Sequence, residues 1–95
     1  MNFKVVLTDH AQWEAERRQI DLGIIKKVVK NPQQQVRLGK RMIFQEKYFD
    51  KFQEKEMLLR TVVEEKGDTR RVITVYKTSK IEKYWKEESK NEGDI

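Results

Sequence analysis

Apolar positions along the chain change their period twice, and the changes mark its elements. Val5-Val6-Leu7 is a short apolar run suited to a strand over Lys4–Leu7, at or near a sheet edge. Thr8 and Asp9 follow, both good N-cap residues, with Gln12 placed to complete a capping box from Asp9. A first helix is predicted from about His10 to Arg18. Its apolar content is thin (Ala11, Trp13, Ala15), so it should lie on the surface with Trp13 as its anchor. Ile20-Asp21 breaks and restarts the chain. Asp21 caps a second helix in which Ile24, Ile25, Val28 and Val29 recur at the three-and-four spacing of a buried stripe. Asn31-Pro32 stops it, because proline disfavours helical geometry in the residue before it. Two antiparallel helices with a short connection are the result.

From Val36 the period becomes that of strands. Gln35–Gly39 and Met42–Phe49 read as strands joined around Gly39-Lys40, and Asp50 to Lys55 is turn-like. Met57–Glu64 is a clear strand, Glu65-Lys66-Gly67-Asp68 a strong turn, and Arg70–Lys77 the returning strand. A loop with an odd residue count sets Met57, Leu59 and Val63 beside Ile73 and Val75 as one core face. Arg60, Thr74 and Tyr76 then share the opposite face. The order predicts an α+β domain over residues 1–86. In it an antiparallel β-sheet packs against an N-terminal helical hairpin, with a short basic and aromatic C-terminal helix near Tyr84-Trp85. Residues 87–95 are expected to be a charged, frayed tail.

Composition narrows the chemistry. Ninety-five residues bury one modest core. The absence of cysteine excludes disulfides and thiolate metal sites, and a single histidine, His10, argues against a His-rich zinc site. No long apolar segment suggests a signal peptide or a membrane span, so a cytoplasmic location is expected. No cofactor is implied, since the chain has no Gly-rich phosphate loop and no closely spaced carboxylates for a divalent metal.

Charge is segregated rather than merely positive. Leu22 to Gln45 has no Asp or Glu but holds Lys26, Lys27, Lys30, Arg37, Lys40 and Arg41. Thr69 to Ile81 is likewise acid-free, with Arg70, Arg71, Lys77 and Lys80. Such segregation can build a basic face that recruits polyanions, although solvated lysines also serve solubility alone.

The chain also carries a set of features in a familiar order. These are His10-Ala11, Arg18 two residues before Ile20, a second helix ending in Asn31-Pro32, and Val72-Ile73-Thr74-Val75-Tyr76-Lys77-Thr78-Ser79-Lys80 with Tyr84 nearby. Together they resemble a small prokaryotic family called domain of unknown function four-two-five-eight, from about Thr8 to Trp85. That family looks related to the RelE/ParE-like toxins. The resemblance implies a compact α+β domain, RNA cleavage (often of messenger RNA on the ribosome) or, in ParE-type members, a gyrase target, and a cognate antitoxin. Two positions depart from the family pattern: Glu14 stands where a basic residue is frequent, and Gln19 replaces a common glycine.

Metal-independent RNA cleavage needs a base for the 2′-hydroxyl, an acid for the leaving oxygen, and cations around the phosphorane. His10 is the side chain whose unperturbed pKa lies near neutrality, and Arg18, two helical turns along, faces roughly the same way. Arg60 could clamp the scissile phosphate, and Tyr76 could stack on a base or donate a proton. The plainer roles are a first-turn packing residue for His10, and Tyr76 under the first helix with Arg60 lying over Val62. Lys40, Arg41, Arg71, Lys77 and Lys80 would contact phosphates without reading sequence. For Arg70-Arg71 beside Glu64-Glu65, a cross-strand ion pair is the simpler role. The leading expectation is a RelE-like RNA-binding protein of toxin type, acting as a metal-independent endoribonuclease on messenger RNA. The alternatives are a non-catalytic module binding nucleic acid or protein, and a ParE-like toxin that targets a protein.

Overall fold

The computed structural model describes residues 3–87, so most of the expected charged tail lies outside the described residues. Among the described residues the fold is mixed α+β, with a five-stranded sheet and three helices. In chain order these are β1 (Lys4–Leu7), α1 (Asp9–Arg17), α2 (Leu22–Lys30), β2 (Gln34–Leu38), β3 (Arg41–Asp50), β4 (Lys55–Lys66), β5 (Thr69–Thr78) and α3 (Ile81–Tyr84). Among the described residues, no helix is long and apolar enough to cross a membrane.

The sheet order is β1-β5-β4-β3-β2. Three hairpins make β2 to β5 antiparallel, but β1 runs parallel to β5, so the expected antiparallel sheet is corrected at that edge. The physical reason is the crossover. β1 and β2 occupy opposite edges, and α1 and α2 carry the chain across the sheet before the meander starts. A run of three apolar residues, Val5 to Leu7, specifies an edge strand without specifying its direction.

Local signals explain the helix ends. Thr8, rather than Asp9, is the N-cap of α1, and its hydroxyl accepts from the Ala11 amide at 3.0 Å. At the other end Gln19 sits at φ 58°, in the left-handed region. The Ile20 amide donates to the Ala15 carbonyl at 2.8 Å and the Gln19 amide to the Glu16 carbonyl at 3.2 Å. That is a Schellman ending with glutamine where glycine is usual, and the buried Ile20 supplies its apolar contact. Asp21 then caps α2 through the Gly23 amide at 3.1 Å.

One face of the sheet, the helix face, holds the main core. Ala11, Ala15, Ile20, Ile25, Val28 and Val29 of the helical region meet Phe44, Leu59, Val63, Val72 and Val75 of the strands. Trp13 is not the anchor of α1. It is 54% exposed, with the Arg17 guanidinium 5.1 Å from its ring centre. Two alanines do the anchoring, since small side chains let the helix backbone approach the sheet.

The last hairpin combines two opposing parities. Lys66 pairs with Thr69, so the turn is the even, two-residue Gly67-Asp68, with Gly67 at φ 60°. An extra residue in β5, Ile73, then shifts the register between Val62–Thr74 and Val63–Val72. Beyond this bulge Arg60 faces Tyr76 and Thr61 faces Val75, as an odd loop would give. The expected sharing of a face by Arg60, Thr74 and Tyr76 is therefore found. The expected place of Ile73 in the core is taken by Val72. Thr8 secures the bulge, its amide donating to the Val72 carbonyl at 3.1 Å and its hydroxyl to the Ile73 carbonyl at 3.3 Å.

Candidate functional site

The far face of the sheet carries a polar row that crosses four strands. Gln34 faces Gln45, Gln45 faces Arg60, and Arg60 faces Tyr76. Side chains join in the same order. Gln45 Nε2 donates to Gln34 Oε1 at 2.8 Å, Arg60 Nε to Gln45 Oε1 at 2.9 Å, and Arg60 Nη1 to the Tyr76 hydroxyl at 2.7 Å. Gln34, Gln45 and Arg60 are buried, a costly arrangement unless each polar atom is partnered. Among the described residues no fully buried side-chain nitrogen or oxygen is left without a partner.

The segment that buries the row is the chain following β5. Gln34 binds the backbone of Lys86 at two points, donating to its carbonyl at 2.7 Å and accepting from its amide at 3.0 Å. Gln45 Nε2 also reaches the Tyr84 carbonyl at 3.1 Å, and the Arg60 guanidinium lies 4.1 Å from the Tyr84 ring centre. Beside this seam opens a groove of about 600 Å3, lined by Lys47, Glu56, Ser79, Lys80, Glu82 and Lys83. The Lys47 ammonium rests 4.2 Å from the Trp85 ring centre, so this aromatic residue borders the same cluster of cations.

The four candidate catalytic residues do not converge. Arg60 and Tyr76 belong to the far face, whereas His10 lies in α1 and Arg18 is its C-cap, and α1 packs on the helix face. His10 is 58% exposed in its side chain, with Nε2 3.6 Å from Glu14 Oε2. Arg18 Nε donates to the other Glu14 oxygen. This Arg18 hydrogen bond holds the Glu14 carboxyl below its ordinary range against the opposing effect of burial. Glu14 thus organises its own basic neighbours.

The phosphate-binding candidates also scatter. Lys77 points to the helix face, where its buried ammonium donates to Asp50 Oδ2 at 2.5 Å. Burial disfavours the charged Asp50, but the Lys77 hydrogen bond and the Gln53 and Phe52 amides outweigh it, and the carboxyl stays below its ordinary range. Burial, reinforced by Asp50, pushes the Tyr48 hydroxyl upward. Arg41 and Arg71 both pair with Glu64, at 3.2 and 3.3 Å, on the far face. Lys40 is exposed in the turn after Gly39. Lys80 alone of the five lines the groove. Arg70 makes the expected cross-strand ion pair, with Glu65 at 2.9 Å, and also ties α2 to the sheet by donating to the Val29 carbonyl at 2.5 Å.

Gln34, Gln45, Lys47 and Lys83 escape sequence reasoning. Gln45 offers the one available signal, a polar residue following Met42-Ile43-Phe44 inside a strand. Its partners become visible only once both registers are fixed. No three His, Asp or Glu side chains among the described residues converge as metal ligands would.

The family model described as Domain of unknown function (DUF4258) matches residues 7–77. Searches of curated proteins and of solved structures return no match.

Proposed function

The chain belongs to the DUF4258 family, and from that premise we propose that it is a RelE-like RNA-binding domain of toxin type, holding the RNA backbone in the far-face groove. The observation that carries this reading is the groove itself: Lys47, Lys80 and Lys83 gathered on one concavity with Trp85 at its border. Ammonium groups attract phosphates and aromatic rings stack on unpaired bases, a pairing suited to single-stranded RNA. The arrangement of two helices on one sheet face and a short helix on the other supports a RelE/ParE-like architecture. The protein acts in the cytoplasm on messenger RNA in this reading, with a cognate antitoxin as its protein partner.

In this reading cleavage proceeds without a metal. A groove carboxylate, Glu56 or Glu82, takes the proton of the 2′-hydroxyl as its oxygen attacks the adjacent phosphorus. The P–O5′ bond breaks, leaving a 2′,3′-cyclic phosphate, and the leaving 5′-oxygen takes a proton from a lysine ammonium. The remaining ammonium groups stabilise the charge on the phosphorane. Arg60 and Tyr76 support the floor from beneath, and His10 and Arg18 take no part.

Binding without cleavage is the second reading. It is favoured by Arg60, whose guanidinium is already engaged by Gln45, Tyr76 and Tyr84. Incubating purified protein with total RNA in EDTA separates the two. New 2′,3′-cyclic phosphate ends, lost in Glu56→Gln or Glu82→Gln, support cleavage. Intact RNA that still binds supports the module, and no binding sinks both.

A further inference from the structure

A second groove, of about 490 Å3, opens on the helix face between the α1–α2 connection and the loop joining β3 to β4. Its wall is apolar, with Ala15, Ile20, Ile24 and the Tyr48 ring. Asp50 at its base is already engaged: Oδ2 accepts from Lys77 and from the Tyr48 hydroxyl, Oδ1 from the Phe52 and Gln53 amides. The base therefore presents no unpartnered carboxylate to a small polar ligand.

Two phenylalanines stand at the outer edge, Phe49 and Phe52, 64% and 66% exposed. Exposed side chains this large and apolar at the border of a concavity mark an association surface. Phe52 is also presented by an ordered loop. Asp50 Oδ1 accepts from its amide at 2.8 Å, and the Glu54 amide donates to the Asp50 carbonyl at 2.7 Å. A preset loop loses little freedom when its apex is buried.

The rim charges indicate the occupant. Glu16 and Asp21 lie on the helix side and Lys51 on the loop side. A fitting partner brings an aromatic knob for the hole, a hole for the knob, a cation opposite the carboxylates and carboxylates opposite the cation. A second copy of this chain, turned by a twofold axis, meets all four requirements, because such an interface sets one patch against itself. We infer that the protein forms a twofold dimer through this groove, Phe52 of each protomer entering the groove of the other and Lys51 facing Glu16 and Asp21. The inference is independent of RNA binding, which uses the far face.

Sedimentation velocity of the full chain, from low to high micromolar concentration, tests it. The expected result is a concentration-dependent dimer whose dissociation constant rises roughly hundredfold in Phe52→Ser, since each dimer loses two buried rings. Lys51→Glu should weaken the dimer, and Lys51→Glu combined with Glu16→Lys should restore it. Because all three side chains are exposed, circular dichroism should show each variant folded. A monomer throughout the range, a dimer indifferent to Phe52→Ser, or no recovery in the charge-swapped pair would overturn the inference. The first result would leave the groove to an apolar ligand or an unrelated partner.

Discussion

Arg60 and Tyr76 face each other across β4 and β5, with Arg60 Nη1 donating to the Tyr76 hydroxyl at 2.7 Å. The pair ends a row that starts at Gln34, whose amide holds the backbone of Lys86. The row is thus a support for the segment that borders the lysine groove. Gln34→Ala removes both hydrogen bonds to Lys86. Hydrogen exchange read by NMR should show the Lys86 amide exchanging at least about tenfold faster, while amides of Leu59 and Val75 in the core stay protected. Unchanged exchange at Lys86 would show that the segment is held by something else.

Tyr76→Phe should cost about 1–2 kcal/mol in chemical denaturation, because it leaves one Arg60 N–H without its acceptor at a buried site. A loss under about 0.3 kcal/mol would mean that water replaces the hydroxyl, and that the row is less closed than its burial implies.

Lys77 and Asp50 form a buried pair, both oxygens of Asp50 being hydrogen-bonded. Lys77→Met strands the carboxylate and should cost about 3–5 kcal/mol at neutral pH. The sign of the pH dependence follows from the lowered Asp50 pKa. Its contribution is present above the unfolded value and disappears as pH falls through the folded one. Wild-type stability should therefore fall as pH drops below about 4, and Asp50→Asn should flatten that fall. A Lys77→Met protein as stable as wild type would contradict the burial of the pair.

Much of this architecture is legible in the residues, and the gaps have identifiable causes. Asn31-Pro32, Gly39-Lys40 and Gly67-Asp68 announce the element ends because proline and glycine act on backbone geometry directly. The Arg60–Tyr76 face is also legible, but through a compensation. The turn is even where the apolar pattern predicts an odd one, and the Ile73 bulge restores the parity. Val72, Ile73 and Val75 are all β-branched, so nothing in their chemistry distinguishes the bulged residue from the buried ones. Trp13 misleads because size suggests burial, whereas close packing on the sheet favours Ala11 and Ala15. The candidate site is less legible still. Residues within one element can be placed by periodicity, but the separation of His10 from Arg60 depends on which sheet face each element covers.

Gln19 at φ 58° occupies a backbone region that glycine enters freely. Gln19→Gly should raise stability by about 0.5–1 kcal/mol in denaturant unfolding, the relief of left-handed strain exceeding the added chain entropy. A loss of stability instead would place the benefit of Gln19 in its side chain.

His10 in α1 and Arg18 at its C-cap lie across the sheet from the lysine groove. His10→Gln and Arg18→Gln should each leave RNA affinity within about twofold of wild type in a filter-binding assay, whereas Lys83→Ala should lower it several-fold. A His10 variant that loses binding would relocate the interface to α1.

The most direct measurement is the salt dependence of binding to a single-stranded RNA oligonucleotide, followed by fluorescence anisotropy. The wild-type protein is compared with a variant in which Lys47, Lys80 and Lys83 are all alanine. If these three ammonium groups hold RNA phosphates, the variant should bind much more weakly, and its plot of log affinity against log salt should be shallower by about 2, near 0.7 for each phosphate no longer neutralised. Equal affinity and equal slope in the two proteins would contradict RNA binding at the far-face groove.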